Sequence, residues 1–513
     1  MSTEYALELK EVSKHFGEVI ANDHINLNVK KGEILAILGE NGSGKTTLMN
    51  MIAGIYYPDA GEIYVKNKPV TIRSPKDSLA LKIGMIHQHF KLIDVLTAAE
   101  NIILGLPGKQ HLNMEAVKKE IQQLIDQNGF ELNLDQKIYN MSVSQKQTVE
   151  IIKVLYRGAD LLILDEPTAV LTPQETKKLF DVLRKVKANG KSIIIITHKL
   201  NEVLELSDRV SVLRKGKYIG TVETKSATIE SLTEMMVGEK VSLNINRAEP
   251  KDTQLRIEMK NVSCTDMEGI KVLEHATFEA YSGEILGVAG ISGNGQKELL
   301  ESIAGLVPIT EGEIIYHSPD SKTHQLNEMN VGDIKKLGVT LSFVPEDRLG
   351  MGLVGNMDVT DNMMLRSYNE GNGYFVNRKA PKKLGKKIVE KLEVVTPGID
   401  TPVSRLSGGN VQKLLVGREI AAQPSVLMVA YPVRGLDINS SYVIYNLLNK
   451  QKEKGVAVIC VIEDLDVLLE LCDRIMVLNS GKVAAIVDAR KATKEEIGML
   501  MTASPEEERA SNE

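Results

Sequence analysis

At 513 residues the chain is too long for one hydrophobic core, so two or more domains are expected. An apolar fraction of 43% suits a soluble α/β protein, and a net charge of −6 gives no global attraction to nucleic acid or anionic lipid. Three scattered cysteines, Cys264, Cys460 and Cys472, form no metal-ligand spacing and suit a reducing compartment.

In chain order, Met1-Ser2-Thr3-Glu4 lacks the basic and apolar regions of a secretory signal. No later apolar run approaches the ~20 residues that span a bilayer. Any membrane role is therefore expected to come from another polypeptide. Leu7 to Val12 alternate like a half-buried strand and lead to Phe16, an aromatic that can stack on a purine or simply join the core. The run Ile34-Leu35-Ala36-Ile37-Leu38 reads as a buried parallel strand. After it come Gly39, Glu40, Asn41, Gly42, Ser43, Gly44, Lys45, Thr46 and Thr47, opening a helix with Leu48, Met49 and Ile52 on one face. This is the phosphate-loop pattern G-x-x-x-x-G-K-[ST]. Its glycines let backbone N–H groups turn around phosphate oxygens, Lys45 places a charge on the β/γ-phosphates, and the Thr46 hydroxyl suits Mg²⁺. The loop predicts binding of a nucleoside triphosphate.

Further on, a strand over residues 83–86 runs into His87-Gln88-His89-Phe90. The Gln88 amide can touch a hydrated Mg²⁺ and a neighbour together. Residues 96–141 turn amphipathic and helical, an inserted lobe. The strand over residues 161–164 ends in Asp165 and Glu166, at the strand end where open α/β sheets bind ligands. Asp165 suits the Mg²⁺ shell and Glu166 is placed to polarise a water. A solvated acidic turn is the plain alternative. The next strand, residues 192–196, ends at Thr197-His198, where the histidine can reach the γ-phosphate.

The chain then repeats itself. Lys31-Gly32-Glu33-Ile34-Leu35 returns as Ser282-Gly283-Glu284-Ile285-Leu286, and Ser207-Asp208-Arg209-Val210 as Cys472-Asp473-Arg474-Ile475. The expected division is residues 1–245, a polar linker at 246–254, residues 255–504, and a charged tail at 505–513. The second copy has lost the chemistry. Lys45 becomes Gln296, Asp165 and Glu166 become Ala430 and Tyr431, Gln88 becomes Glu346, His198 becomes Glu463, and Phe16 falls near Asp266. Lys297 cannot replace Lys45, because one helical step turns its side chain about 100° away. The short motif before the following helix has the opposite bias. Ser407, Gly408, Gly409 and Asn410 offer exposed N–H groups and a hydroxyl, whereas the first copy has Ser142-Val143-Ser144-Gln145.

Two complementary half-sites in one chain resemble the ATP-binding-cassette ATPases, and the resemblance covers nearly the whole chain twice. It implies an α/β fold of two tandem cassettes, each a P-loop parallel-sheet core with an antiparallel β part and an inserted helical lobe. It also implies that ATP and Mg²⁺ bind between the first phosphate loop and residues 407–410, with Asp437 reaching across the interface. Tandem cassettes without membrane segments look like the energising subunits of simple-sugar and nucleoside importers. The stretches around Gln88, Glu166 and Glu463 are most similar to nucleoside importers that work with basic-membrane-protein-type lipoproteins. The expected partners are two membrane-spanning permease subunits and, indirectly, an extracytoplasmic substrate-binding lipoprotein, with no nucleic acid. The expected location is the cytoplasmic side of the cell membrane, peripherally bound. A monosaccharide importer is the alternative. Ribosome-acting twin cassettes fit less well, since they carry a long charged linker and two complete sites.

Overall fold

The computed structural model describes the chain except residues 1–3, 18, 88–89, 107–112, 170, 239–244, 267–268, 292, 344–348, 350–351, 369–375, 422, 435, 437 and 503–513, and except the side chains of 340–343. The chain folds as two units, Met1–Ser242 and Leu243–Glu513.

The first unit is built on one ten-stranded sheet. Its parallel part sets Ile34–Leu38 between Ser192–Ile196 and Arg209–Arg214, with Leu161–Asp165 and Ile83–Ile86 beyond. Every residue of Ile34–Leu38, Leu161–Asp165 and Ser192–Ile196 is buried, which explains their unbroken apolar runs. Leu35 and Ile37 pack with Leu48, Met49 and Ile52 of the helix Lys45–Ile52. The antiparallel part pairs Tyr5–Phe16 with Val19–Lys30 on one side and Ala60–Val65 on the other. Here only one face is covered, and Leu7 and Leu9 are buried while Lys10 and Glu11 are exposed. The helical lobe expected over residues 96–141 contains Ala98–Ile103 and Met114–Asn128, and the helix Val143–Tyr156 follows it. Thr97 and Glu100 close the first of these helices with a capping box.

The second unit repeats this plan with two sheets. Six strands run in the order Val339–Phe343, Val426–Ala430, Ala457–Val461, Ile285–Ala289, Arg474–Asn479 and Lys482–Asp488. Four antiparallel strands, Lys271–Tyr281, Leu255–Thr265, Ile309–His317 and Thr323–Gln325, make the other sheet. Leu286 and Val288 face the helix Gln296–Ile303, while Ile285 and Ala289 face Tyr445 and Leu448 of the helix Ile438–Glu453. Cys460 and Cys472 lie in this second core, and all three cysteines are buried free thiols.

The polar stretch read as a linker is tied to the second unit. Arg247 donates to the carbonyls of Leu469 (3.0 Å) and Cys472, and Lys452 donates to that of Ala248. Ile245 packs on the second core and Arg490 pairs with Glu249 at 3.0 Å.

Candidate functional site

The parallel strands bring the first unit's polar residues to one sheet end. Ile34–Leu38 delivers Gly39, and the helix Lys45–Ile52 begins after Gly44, whose φ of +96° is left-handed. A Cβ on Gly44 would collide with the Ala21 carbonyl, so glycine is required twice over. Lys45 is 6% exposed, and its ammonium donates to the carbonyls of Gly39 at 2.7 Å and Glu40 at 2.9 Å. Burial lowers its pKa, against the pull of Glu166, Asp165 and Glu40. The Ser43 hydroxyl is buried in the same loop with no hydrogen-bond partner among the described residues. A cradle with a folded-back cation and an unsatisfied hydroxyl fits incoming phosphate oxygens.

Asp165 ends its strand beside Thr46. Its carboxyl is pushed up to about 6, first by burial and then by the charge of Glu166, while Lys45 and the Thr46 hydroxyl pull it back. Glu166 behaves oppositely. Burial pushes it up, but the bond to His198 and the charges of His198, Lys45 and Lys199 outweigh that and leave it below the ordinary range. His198 Nδ1 lies 3.0 Å from Glu166 Oε1. Two neighbouring carboxyls pushed apart in this way divide their tasks: one stays ionised at neutral pH, and the other becomes fully so when a cation arrives. Among the described residues no three His, Cys, Asp or Glu side chains gather into a metal cage. The Asp165 carboxylate and Thr46 hydroxyl are a partial oxygen donor set, which fits Mg²⁺ sharing its shell with phosphates and water.

The strained Asp165 charge has a consequence for stability. A carboxyl raised in the fold costs stability when ionised, and that cost is complete above pH 6 and gone below about pH 4, where it is protonated in both states. Asp165→Asn is therefore expected to stabilise the protein by about 1–3 kcal/mol at pH 8 with nucleotide and Mg²⁺ absent. The gain should fade as pH falls from 6 to 4. Thermal melts across that range check this, and a gain independent of pH would refute it.

The second unit keeps the backbone and discards the groups. Gln296, 2% exposed, donates to the Ile291 carbonyl at 2.9 Å, the counterpart of Lys45 bonding Glu40. Lys297 lies 3.7 Å from Glu301 in an ion pair along its own helix. Tyr431 donates its N–H to the Val461 carbonyl at 3.0 Å, as Glu166 does to that of Ile196 at 2.9 Å. Both residues hold positive φ, +46° for Glu166 and +52° for Tyr431. The strain thus belongs to the turn and not to the chemistry, because a residue without a carboxylate bears it equally. Glu463, at the position of His198, pairs with Arg434 at 3.6 Å.

The helix tips differ in how their serines are engaged. Ser142 accepts the Gln145 N–H at 3.3 Å, and the Gln145 side chain accepts the Ser142 N–H at 2.9 Å, a closed capping box. Ser407 instead accepts from the Asn410 amide at 2.9 Å, and Ser407 and Gly408 are exposed at the start of the helix Gly408–Ala421.

Thr46, Lys45, Asp165, Glu166 and His198 are thus brought together. Phe16 is 43% exposed, so the core alternative for it is corrected. The strand end lifts the ring clear of the sheet, where Tyr56 meets it edge-on with centroids 5.2 Å apart. Gln88, Glu346 and Asp437 lie outside the described residues. Sequence reasoning missed Lys199, which donates to the Thr168 carbonyl at 3.1 Å and lowers Glu166. Its position directly after His198 was the available signal.

A sequence profile of the ABC transporter family matches residues 22–169 and again 273–432. The nucleoside import ATP-binding protein NupA of Lactococcus lactis is 40% identical over 98% of this chain and 99% of its own. The guanosine import ATP-binding protein NupO of Bacillus subtilis is 39% identical over 98% and 99%. The glucose import ATP-binding protein TsgD13 of Haloferax volcanii is 38% identical over 98% and 96%. Both copies carry the family profile, and the likeness to these relatives runs almost end to end, so the chain belongs to the ABC transporter family.

Proposed function

We propose that this ATPase drives import of nucleosides through two separate membrane-spanning subunits fed by an extracytoplasmic lipoprotein. It would sit on the cytoplasmic side of the cell membrane. No described helix is long and apolar enough to cross a membrane, so the path for cargo must come from partners. The observation that carries the reading is the gathering of Lys45, Asp165, Glu166 and His198 at one phosphate loop, opposed to their absence at the other. The names of two full-length relatives support nucleosides as cargo. The glucose importer at 38% identity favours a monosaccharide as the second reading.

In the first unit, the loop N–H groups and Lys45 hold the triphosphate, and Ser43 offers its hydroxyl. Asp165 and Thr46 would hold Mg²⁺, which when bound neutralises phosphate charge. Glu166, ionised at neutral pH, orients and polarises the attacking water, and His198 fixes the Glu166 carboxylate through their 3.0 Å contact. The second unit supplies Ser407, Gly408, Gly409 and Asn410 to that nucleotide, and Asp437 from the loop after Tyr431. This pairing rests on complementary loss, since the unit with the intact phosphate loop lacks the glycines and the unit with the glycines lacks Lys45 and Glu166.

The complex reconstituted in vesicles with its two membrane subunits and lipoprotein should take up nucleoside only when ATP is supplied. Lys45→Ala should abolish uptake and weaken ATP binding itself. Uptake of a monosaccharide and not of nucleosides would select the second reading. ATP binding undiminished in Lys45→Ala would remove the first loop from the site.

A further inference from the structure

The helix Lys379–Lys391 in the helical lobe of the second unit has two unlike halves. Pro381, Gly385 and Ile388 are buried, and Leu384 and Val389 are partly buried beside them. Ile388, with Leu392 just past the helix end, packs into a core with Val359, Met363 and Leu414. The helix Gly408–Ala421 comes close, since a Cβ on Gly417 would collide with Ile388. The apolar half is thus engaged inside the fold.

The other half carries Lys379, Lys382, Lys383, Lys386, Lys387 and Lys391, all exposed, with Glu390 as the one acid among them. At about 100° per residue the six fall within about half of the helix circumference. Among the described residues Lys382 alone of the six meets a carboxylate, that of Asp400 at 3.7 Å. Lys379 and Lys382 stand in the first turn, where the helix dipole is positive, and no side chain caps that end. Lysines four apart, such as Lys383 and Lys387, repel one another along the stripe. The stripe works against its own helix, so helix stability does not account for it.

The first unit is an internal comparison. Its lobe has the same frame: Asn101 accepts the Ile93 N–H at 2.8 Å, and Asn362 accepts that of Val354 at 2.8 Å. The helix at the matching place, Met114–Asn128, carries two lysines against three acids. There Lys118 is paired with Asp135. The basic face therefore belongs to one copy and not to the shared plan.

We infer that this helix face is a docking surface for the anionic phospholipid headgroups of the membrane at which the complex sits. That location rests on the function proposed above, whereas the basic face stands without it. A chain of net charge −6 is repelled as a whole by an anionic surface, so attraction confined to one face also orients it. The stripe is about 20 Å long. It contains neither arginine nor an aromatic residue, the groups that grip and stack nucleic acid, whereas mobile headgroups need only point charges. With its apolar half engaged, the helix rests on the headgroups without inserting, and the attachment is electrostatic.

The test is co-sedimentation of the full chain, without membrane subunits, with vesicles of phosphatidylcholine alone or mixed with phosphatidylglycerol. Binding is expected only to the mixed vesicles, and salt near 1 M, where the screening length falls to about 3 Å, should release it. Each lysine at an anionic surface strengthens attachment about 5-fold. Lys383→Gln, Lys386→Gln and Lys387→Gln together should therefore weaken it about 100-fold. The same three positions changed to arginine should bind like the parent. Lys118→Gln with Lys119→Gln, on the first unit's helix, should change nothing. The glutamine variant should melt no lower than the parent, because it relieves repulsion. Melting below the parent would make the stripe structural and overturn the assignment. So would absent binding to mixed vesicles, equal binding to neutral ones, undiminished binding of the glutamine variant, or an equal loss in the first-unit variant. Binding of polyglutamate or a short RNA in place of the vesicles would give the face to an acidic polymer and overturn the lipid reading. Failure of nucleoside uptake would strike the proposed cargo and leave vesicle binding by the isolated chain untouched.

Discussion

Glu166→Gln is expected to retain ATP binding and to lower turnover by about 10²–10⁴-fold, the contribution of a positioned general base. The amide keeps the size of the side chain and loses only the capacity to take a proton. Binding is retained because Lys45, Ser43 and the loop glycines are untouched. Because its carboxyl lies below the ordinary range, Glu166 is already ionised at neutral pH, and no activity should be lost through it until well into acid. His198→Ala should be milder and should move the acid limb of the pH profile upward. Burial alone would raise Glu166, and the His198 bond is the largest influence holding it down. Tyr431→Phe, at the equivalent backbone position, should leave turnover unchanged. Single-turnover rates of the purified complex across pH 5–8 check these outcomes. Near-normal turnover in Glu166→Gln would transfer the base to another residue.

Much of this site was legible because its signals are local. The strand, glycine loop and helix from Ile34 to Ile52 occupy one contiguous stretch, and periodicity with glycine spacing settles them without knowledge of distant partners. The demotion of Lys297 was equally local, since helix geometry alone turns it toward Glu301. The Glu166–His198 contact was only half legible. It joins residues 32 apart through the pairing of Asp165 with Ile196, and the sequence supplied the order of the strands but not their register. For Phe16 the alternation pattern ran out at the end of its strand, where nothing local decides between core and solvent. The stretch around Arg247 was opaque for a different reason. A polar segment without periodicity resembles a free linker, and its carbonyl partners at Leu469 and Cys472 are more than two hundred residues away. The positive φ of Glu166 could not be read at all, because it is imposed by a turn that tolerates tyrosine equally well.

The largest contrast is expected between two serines that hold the same place in the two copies. Ser407→Arg should abolish most ATPase activity and transport, while Ser142→Arg should be mild. Both residues are exposed at a helix start, so arginine can point to solvent without disturbing either core. At Ser142 the substitution removes a capping box, with an expected cost of about 1 kcal/mol to the helix Val143–Tyr156. Under the proposed pairing, that tip faces the copy with Gln296, Ala430 and Tyr431, where no chemistry depends on it. At Ser407 the substitution removes a hydroxyl and places a long side chain over the Gly408-Gly409 backbone at the start of the helix Gly408–Ala421. Those N–H groups are the ones proposed to meet the γ-phosphate held by Lys45, and arginine cannot restore a hydroxyl donor at a helix tip. The comparison controls for side-chain size and for helix position together. Thermal melts of both variants should match the parent within the capping loss, so that activity and folding are read separately. Equal damage from the two substitutions, or greater damage from Ser142→Arg, would mean that each copy works alone or through another pairing, and the proposal that residues 407–410 complete the first site would fall.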